Sequence, residues 1–461
     1  MEVAAGAGTG PSGKLENGKM DNYPKELDAG ALFVLKSRGT WLHCGYHLAT
    51  SIVCPSLLSL PFALSLLGWA AGTTWLVLAG MVTFYSFNLL SLVLEQQANL
   101  GHRQLRFRDM GTDILGPRWG KYYVGPLQFL ICYCSVVATA VLGGQTLKTI
   151  YLLARPDGTM QLYQFIIIFG LVILFLAQIP SFHSLRHINL VSLVLCLVYC
   201  VCTTVGSIYI GRSKNAPIKD YSLQGTREDR ILSAFNGISI IATIYGSGII
   251  PEIQATIAPP IKGKMFKGLI VCYLVIITTY FSVAISGYWA FGNQAKSVIL
   301  SNFIGKDSNG RDLLPTWFLL LTNASTIAQI IAITLVYLQP TNELFEKKLG
   351  DAKSDQYSMR NVVPRLISRS LSVITATLFG AMLPFFGDIM ALFGAFGFIP
   401  LDFILPAVFY NVAFKPSKRG AIFWVNTTIA VISSMLAGIG AVASVRQMIR
   451  DAKTYNLFAN M

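Results

Sequence analysis

Two acidic side chains stand inside apolar stretches of this 461-residue chain, each beside residues that interrupt a helix. Glu252 closes the run Tyr245-Gly-Ser-Gly-Ile-Ile-Pro-Glu252, and Asp402 lies between Pro400 and Pro406. A carboxylate in hydrocarbon costs a few kcal/mol, so it needs a partner or a task, such as carrying a proton or meeting a cationic group. A third run, Ser51-Ile-Val-Cys-Pro-Ser-Leu-Leu-Ser-Leu-Pro61, carries no acid but the same kind of interruption. Proline has no N–H and cannot continue the ladder behind it, so carbonyls near Ser51 and Val53 lose their partners. Backbone freed in this way is tolerated at membrane depth only where protein buries it or a wet cavity reaches it. The half-helix starting near Ser56 points its positive end at the gap, which suits a carboxylate.

A small zwitterion would therefore meet Ser51, Cys54, Ser56 and Leu57 at one interruption, Tyr245 and Ser247 at the other, and Asp402 through its amine. Glu252 and Asp402 are candidate proton carriers, as is His187, whose imidazole titrates near neutral pH when exposed. Blander readings stand beside these: a plain proline kink, Glu252 as a brace or an interfacial glutamate, and Asp402 bonded to backbone freed by its own prolines. Asp388 reads as a helix cap.

Polar residues recur at helical spacing on two further stretches. Thr322, Ser325, Thr326 and Gln329 share one face, as do Gln128, Cys132, Ser135 and Thr139. Most read as packing, with Ser325 and Thr326 the pair suited to a cation position. His43 and His47 stand four apart, but nothing completes a metal site around them, so no metal or other cofactor is expected. Six of the eight cysteines, Cys132, Cys134, Cys196, Cys200, Cys202 and Cys272, fall in apolar stretches without zinc or disulfide spacing. Asn323 and Asn426 match the glycosylation pattern but lie in apolar stretches, where it goes unused.

Eleven apolar stretches must position these groups: 41–66, 70–93, 122–150, 161–181, 187–210, 232–257, 266–291, 315–339, 367–386, 389–413 and 421–445. Crossing a bilayer as a helix takes about 20 residues, which each can supply. Charged residues make up 13% of the chain, about half the share in soluble domains, and the mean hydropathy is +0.56. The fold class expected is an all-α polytopic membrane protein with eleven transmembrane helices. The net charge of +14 is spread over short loops, where it orients the chain and makes no nucleic-acid patch. Its bias places the N-terminus in the cytosol and, with an odd count, the C-terminus outside; the basic residues of 211–231 run against the trend. Residues 1–40 read as a disordered cytosolic tail without a cleavable leader, 41–446 as the transmembrane domain, and 447–461 as a short extracellular tail.

The first and sixth stretches are the broken ones. Breaks at matching places in two five-helix halves mark an inverted-repeat carrier with its substrate at the breaks, the eleventh helix being an addition. A carrier is expected, not an enzyme.

The runs beginning Trp41-Leu-His-Cys-Gly-Tyr-His, Leu58-Ser-Leu-Pro-Phe-Ala with Leu67-Gly-Trp, and Tyr245-Gly-Ser-Gly resemble the plant amino acid/auxin permease family. Leu392-Phe-Gly-Ala-Phe-Gly-Phe-Ile-Pro-Leu-Asp-Phe, Phe414-Lys-Pro-Ser-Lys and Asp451-Ala-Lys-Thr-Tyr-Asn-Leu-Phe-Ala are similar to its 4-aminobutyrate (GABA) branch. The likeness implies a LeuT-like fold of eleven helices and proton-driven uptake of 4-aminobutyrate at the plasma membrane. One departure concerns the site. The wider family often has a glycine-rich break before Leu-Ser-Leu-Pro, where this chain has Val53-Cys-Pro-Ser56 and one donor fewer. The expected partners are a small zwitterionic amino acid, protons and the lipid bilayer, with no nucleic acid. Another amino acid or auxin as cargo, and a non-transporting membrane sensor, are the alternatives. The oligomeric state is not legible.

Overall fold

The computed structural model describes residues 39–101, 104–178, 186–213, 218–258, 261–305, 312–351, 353–355, 357–383 and 385–452, with backbone only at 186–189 and 452. Residues 1–38, the side chain of His187 and residues 453–461 lie outside the described residues, and the expectations for them with these.

With no water in a bilayer core, backbone groups must bond within their own segment, and the described chain is helical nearly throughout. The helices are α1 (Trp41–Ile52), α2 (Leu60–Asn99), α3 (Gly125–Ala154), α4 (Leu162–Leu176), α5 (Arg186–Arg212), α6 (Arg227–Tyr245) and α7 (Ile250–Ala255). There follow α8 (Lys264–Phe291), α9 (Thr316–Leu349), α10 (Met359–Met382), α11 (Phe386–Phe393), α12 (Leu405–Phe414) and α13 (Ala421–Ala452). Among the described residues nine helical stretches are long and apolar enough to cross a membrane, and the first, Trp41–Asn99, holds two of the expected crossings. Gly68 separates those two at φ 77° and ψ 173°, a conformation open to glycine alone. Apolar side chains such as Phe175, 78% exposed, face outward where lipid would lie.

Both expected breaks are present. The first helix stops at Ile52, Val53 and Cys54 leave helical geometry, and Pro55–Ser59 forms a 3-10 turn before α2. The sixth stops at Tyr245, Gly246 is extended, and α7 begins with Pro251 in its first turn, where the missing N–H has no helical acceptor. Gly39 donates to the Thr256 carbonyl at 2.8 Å and accepts from the Ala258 N–H at 2.9 Å. α1 therefore starts where α7 finishes, and the two broken helices run antiparallel, as an inverted repeat requires. Asp229, in the first turn of α6, pairs with Arg446 at 3.2 Å and Arg450 at 2.7 Å. The start of α1 and the finish of α13 thus lie at opposite ends of the bundle.

The structure departs from the expected boundaries in several places; α2 runs to Asn99, past 93, and α10 starts at Met359, before 367. α9 continues through Pro340 to Leu349, where a polar loop was expected. Buried charge holds the extension: Glu343 meets Arg106 and, at 3.0 Å, Arg108, while Glu346 accepts from Arg365 at 2.5 Å and Arg369 at 3.4 Å. The arginines at 106 and 108 come from the supposed loop 94–121, whose later part folds into short helical turns. α13 continues to Ala452, past 445. Between α11 and α12 the chain takes π-type turns over Gly394–Ile404, which carry Pro400 and Asp402.

Candidate substrate site

The carbonyls released at the first break are taken by side chains of other helices. Tyr337 of α9 donates to Ser51 at 3.3 Å, Tyr280 of α8 to Ile52 at 2.8 Å, and Gln329 of α9 to Val53 at 2.7 Å. The Cys196 thiol of α5 also reaches Val53, at 3.6 Å. The second break is held in the same manner. The Ile244 carbonyl accepts from Tyr280 at 2.7 Å, and that of Gly248 from Gln128 of α3 at 3.0 Å. The Ser247 N–H donates to Asp402 Oδ2 at 2.7 Å.

A cavity of about 40 Å³ lies between the breaks. Cys54, Pro55 and Ser56 line it from the first and Gly246 from the second, with Thr243 beside it. Ser135 and Thr139 of α3 and Tyr337 of α9 add hydroxyls; Phe386, Phe393 and Phe398 add aromatic faces. The lining carries no charged side chain. Phe386 also lines a wider space of about 730 Å³ with Lys148, Lys296, Asp388 and Asp451. That larger space lies toward the end of the bundle reached by α13, and Phe386 lines both it and the small cavity.

Of the residues singled out from sequence, Cys54 and Ser56 line the cavity, with the thiol sulfur and hydroxyl oxygen 2.7 Å apart. Ser51, Leu57 and Ser247 are buried beside it without lining it, and the Leu57 N–H is already spent on the Cys54 carbonyl at 3.0 Å. The Tyr245 side chain turns away, into an apolar groove lined by Gly80, Phe84 and Tyr273. Asp402 sits behind Gly246, where an added Cβ would be 3.0 Å from Oδ2. Its bond goes to backbone freed by the α6 break, not by its own prolines, and Oδ1 has no hydrogen-bond partner among the described residues. Glu252, 2% exposed, accepts from Gln128 Nε2 at 2.5 Å through Oε1, while Oε2 has no partner among the described residues.

The cation pair is buried on α9 outside the cavity lining, and the Thr326 hydroxyl donates to Thr322 at 2.7 Å. Gln329, a turn further along the same stripe, reaches the first break instead. Asp388 does not cap α11, which starts at Phe386 without a side-chain cap. His43 accepts from the Thr40 N–H at 3.0 Å and closes the N-terminal cap of α1. Sequence reasoning passed over Tyr280, Tyr337 and the ring at Phe386. The available signal was a phenol in an apolar span, since a buried hydroxyl seeks a partner.

Two antiparallel broken helices around a small cavity define a secondary carrier. The chain belongs to the family described as transmembrane amino acid transporter protein, whose model matches residues 37–450, and it is a transporter, not an enzyme. It is 58% identical over 435 residues to GABA transporter 1 of Arabidopsis thaliana, covering 94% of this chain and 96% of that one. Lysine histidine transporter-like 1 of the same plant is 29% identical over 445 residues, with 94% of each chain covered. The LeuT-like fold is shared with solved structures. A Na+-coupled sialic acid symporter matches with a TM-score of 0.51 at 11% identity, over 95% of this chain and 94% of that one. MhsT in complex with L-phenylalanine matches with a TM-score of 0.53 at 12% identity, over 88% and 100%.

Proposed function

We propose that this protein takes up 4-aminobutyrate and related ω-amino acids together with protons across the plasma membrane, with its N-terminus cytosolic and its C-terminus extracellular. The observation that carries proton coupling is the state of Asp402 and Glu252. Each is buried, held on one oxygen by a neutral N–H donor, and left without a partner on the other among the described residues. An ionised carboxylate in that setting is expensive, and taking up a proton removes the cost.

The name of the Arabidopsis relative supports 4-aminobutyrate as cargo. The carboxylate would meet Ser56 and Cys54, and the ammonium would lie against the aromatic faces, where a desolvated cation is attracted by the ring quadrupole. Asp402 would act on it from behind Gly246. A cargo with a second positive charge, as the more distant relative's name suggests, would find no carboxylate in the lining.

Radiolabelled 4-aminobutyrate uptake into proteoliposomes, under a pH gradient and separately under a sodium gradient, tests the reading. Uptake should rise as the outside is acidified, and each net charge moved inward should gain about 2.3 kcal/mol per 100 mV of inside-negative potential. Uptake that follows sodium and ignores pH refutes proton coupling. Equal competition by alanine and 4-aminobutyrate refutes selection for ω-amino acids, and binding without uptake identifies a sensor.

A further inference from the structure

Tyr280 is fully buried in α8, and its hydroxyl lies 2.8 Å from the carbonyl of Ile52 and 2.7 Å from that of Ile244. These carbonyls belong to the last turns of α1 and α6, one at each break. Among the side chains that hold carbonyls at the breaks, Gln329, Tyr337 and Cys196 serve the first and Gln128 the second, while Tyr337 also meets the Ser247 side chain and Asp402 the Ser247 N–H. Tyr280 joins the two. A phenol carries one hydrogen, so it donates to one of these carbonyls at a time. The two sides are unequal. Ile52 also accepts from the Cys54 N–H at 2.9 Å, while Ile244 has no second donor among the described residues.

We propose that Tyr280 is a positioning residue that couples the two breaks through the single hydrogen of its hydroxyl. When one half-helix moves, the hydrogen goes to the carbonyl that stays, and the hold on the other break changes with it. A shift made around the substrate at Cys54 and Ser56 is thereby felt at Gly246 and Ser247, the residues that touch Asp402. That consequence for transport rests on the substrate reading above; the coupling itself does not.

Tyr280→Phe removes the hydroxyl and keeps the ring that packs edge-on against Tyr245, with centroids 4.9 Å apart. Hydrogen exchange of the purified full-length protein reads the coupling without any substrate. Amides at 246–250 should exchange about fivefold faster, those at 53–57 by a smaller factor, and the remaining helices at the wild-type rate. Gln329→Leu, which loosens the first break and leaves Tyr280 in place, should accelerate 53–57 and, by a smaller factor, 246–250. In proteoliposomes, Tyr280→Phe should lower the maximal 4-aminobutyrate uptake rate per folded protein and shift KM less. Unchanged exchange at both breaks, acceleration at one only, or a uniform rise across all helices would each overturn the coupling. If the wild type takes up no 4-aminobutyrate, the cargo reading fails, while the exchange result still decides the role of Tyr280.

Discussion

The backbone N–H of Ser247 donates to Asp402 Oδ2 at 2.7 Å, so the carboxyl of one helix fills the gap in another. A residue expected to face the substrate directly is instead part of the wall behind it. Asp402 can still sense the cavity, because it lies directly against Gly246, which lines it.

This separates two substitutions. Asp402→Asn keeps an acceptor for the Ser247 N–H but has no proton to exchange, whereas Asp402→Ala loses both. The asparagine variant should fold and bind 4-aminobutyrate yet fail to accumulate it under a pH gradient. The alanine variant should in addition lose about 1–3 kcal/mol of stability, the cost of the orphaned donor. Thermal melting and uptake, measured on the same preparations, check both. Wild-type accumulation by the asparagine variant removes Asp402 from the proton path.

Glu252→Gln tests the other carboxyl. If Glu252 carries the proton, accumulation should be abolished while exchange of labelled for unlabelled substrate continues. Gln128 Nε2 contacts both Glu252 and the Gly248 carbonyl, so a bracing role is the rival. Exchange that declines in step with the amount of folded protein favours the brace.

Gly246→Ala should block the site by overpacking. An added Cβ would lie 2.3 Å from Phe398 Cδ1, a clash that typically costs about 1–3 kcal/mol in a packed interior. Substrate binding by the folded fraction should fall more than its yield does. Combining it with Phe398→Leu should recover part of the binding, and calorimetry on the two variants measures the recovery. No recovery would place the defect elsewhere.

Outside the membrane, Asp220 accepts from the Ser222 N–H at 2.8 Å, the Ser222 hydroxyl at 2.9 Å and Asn293 Nδ2 at 2.8 Å. These donors, the Ser222 backbone first, hold its carboxyl below the usual carboxylate range. A depressed folded-state value means the contribution is present above the ordinary carboxylate range and is lost as pH falls through the lowered value. Between about pH 5 and 7 this clamp is therefore constant. Asp220→Asn should leave the pH profile of uptake where it was, and a shifted profile would tie pH sensing to this loop.

What could be read from the sequence was local in its causes. Pro55 and the Gly246–Gly248 run each stand at a break, because proline removes a donor and glycine loosens backbone over a few residues. The burden of Glu252 and Asp402 was equally plain, since an acid in an apolar stretch is costly without regard to its neighbours. Tertiary packing alone decided which group answers which break. Asp402 meets Ser247, Gln329 meets Val53, and Tyr280 spans Ile52 and Ile244, each across more than a hundred residues or between helices whose rotation no periodicity reports. Tyr245 shows why: it closes α6 in regular helix, and whether its face meets the cavity or the groove at Gly80 and Phe84 depends on how α6 is rotated against its neighbours. The run of α9 past Pro340 has the same origin, because Arg106 and Arg108, distant in sequence, are what complete the buried charge of Glu343.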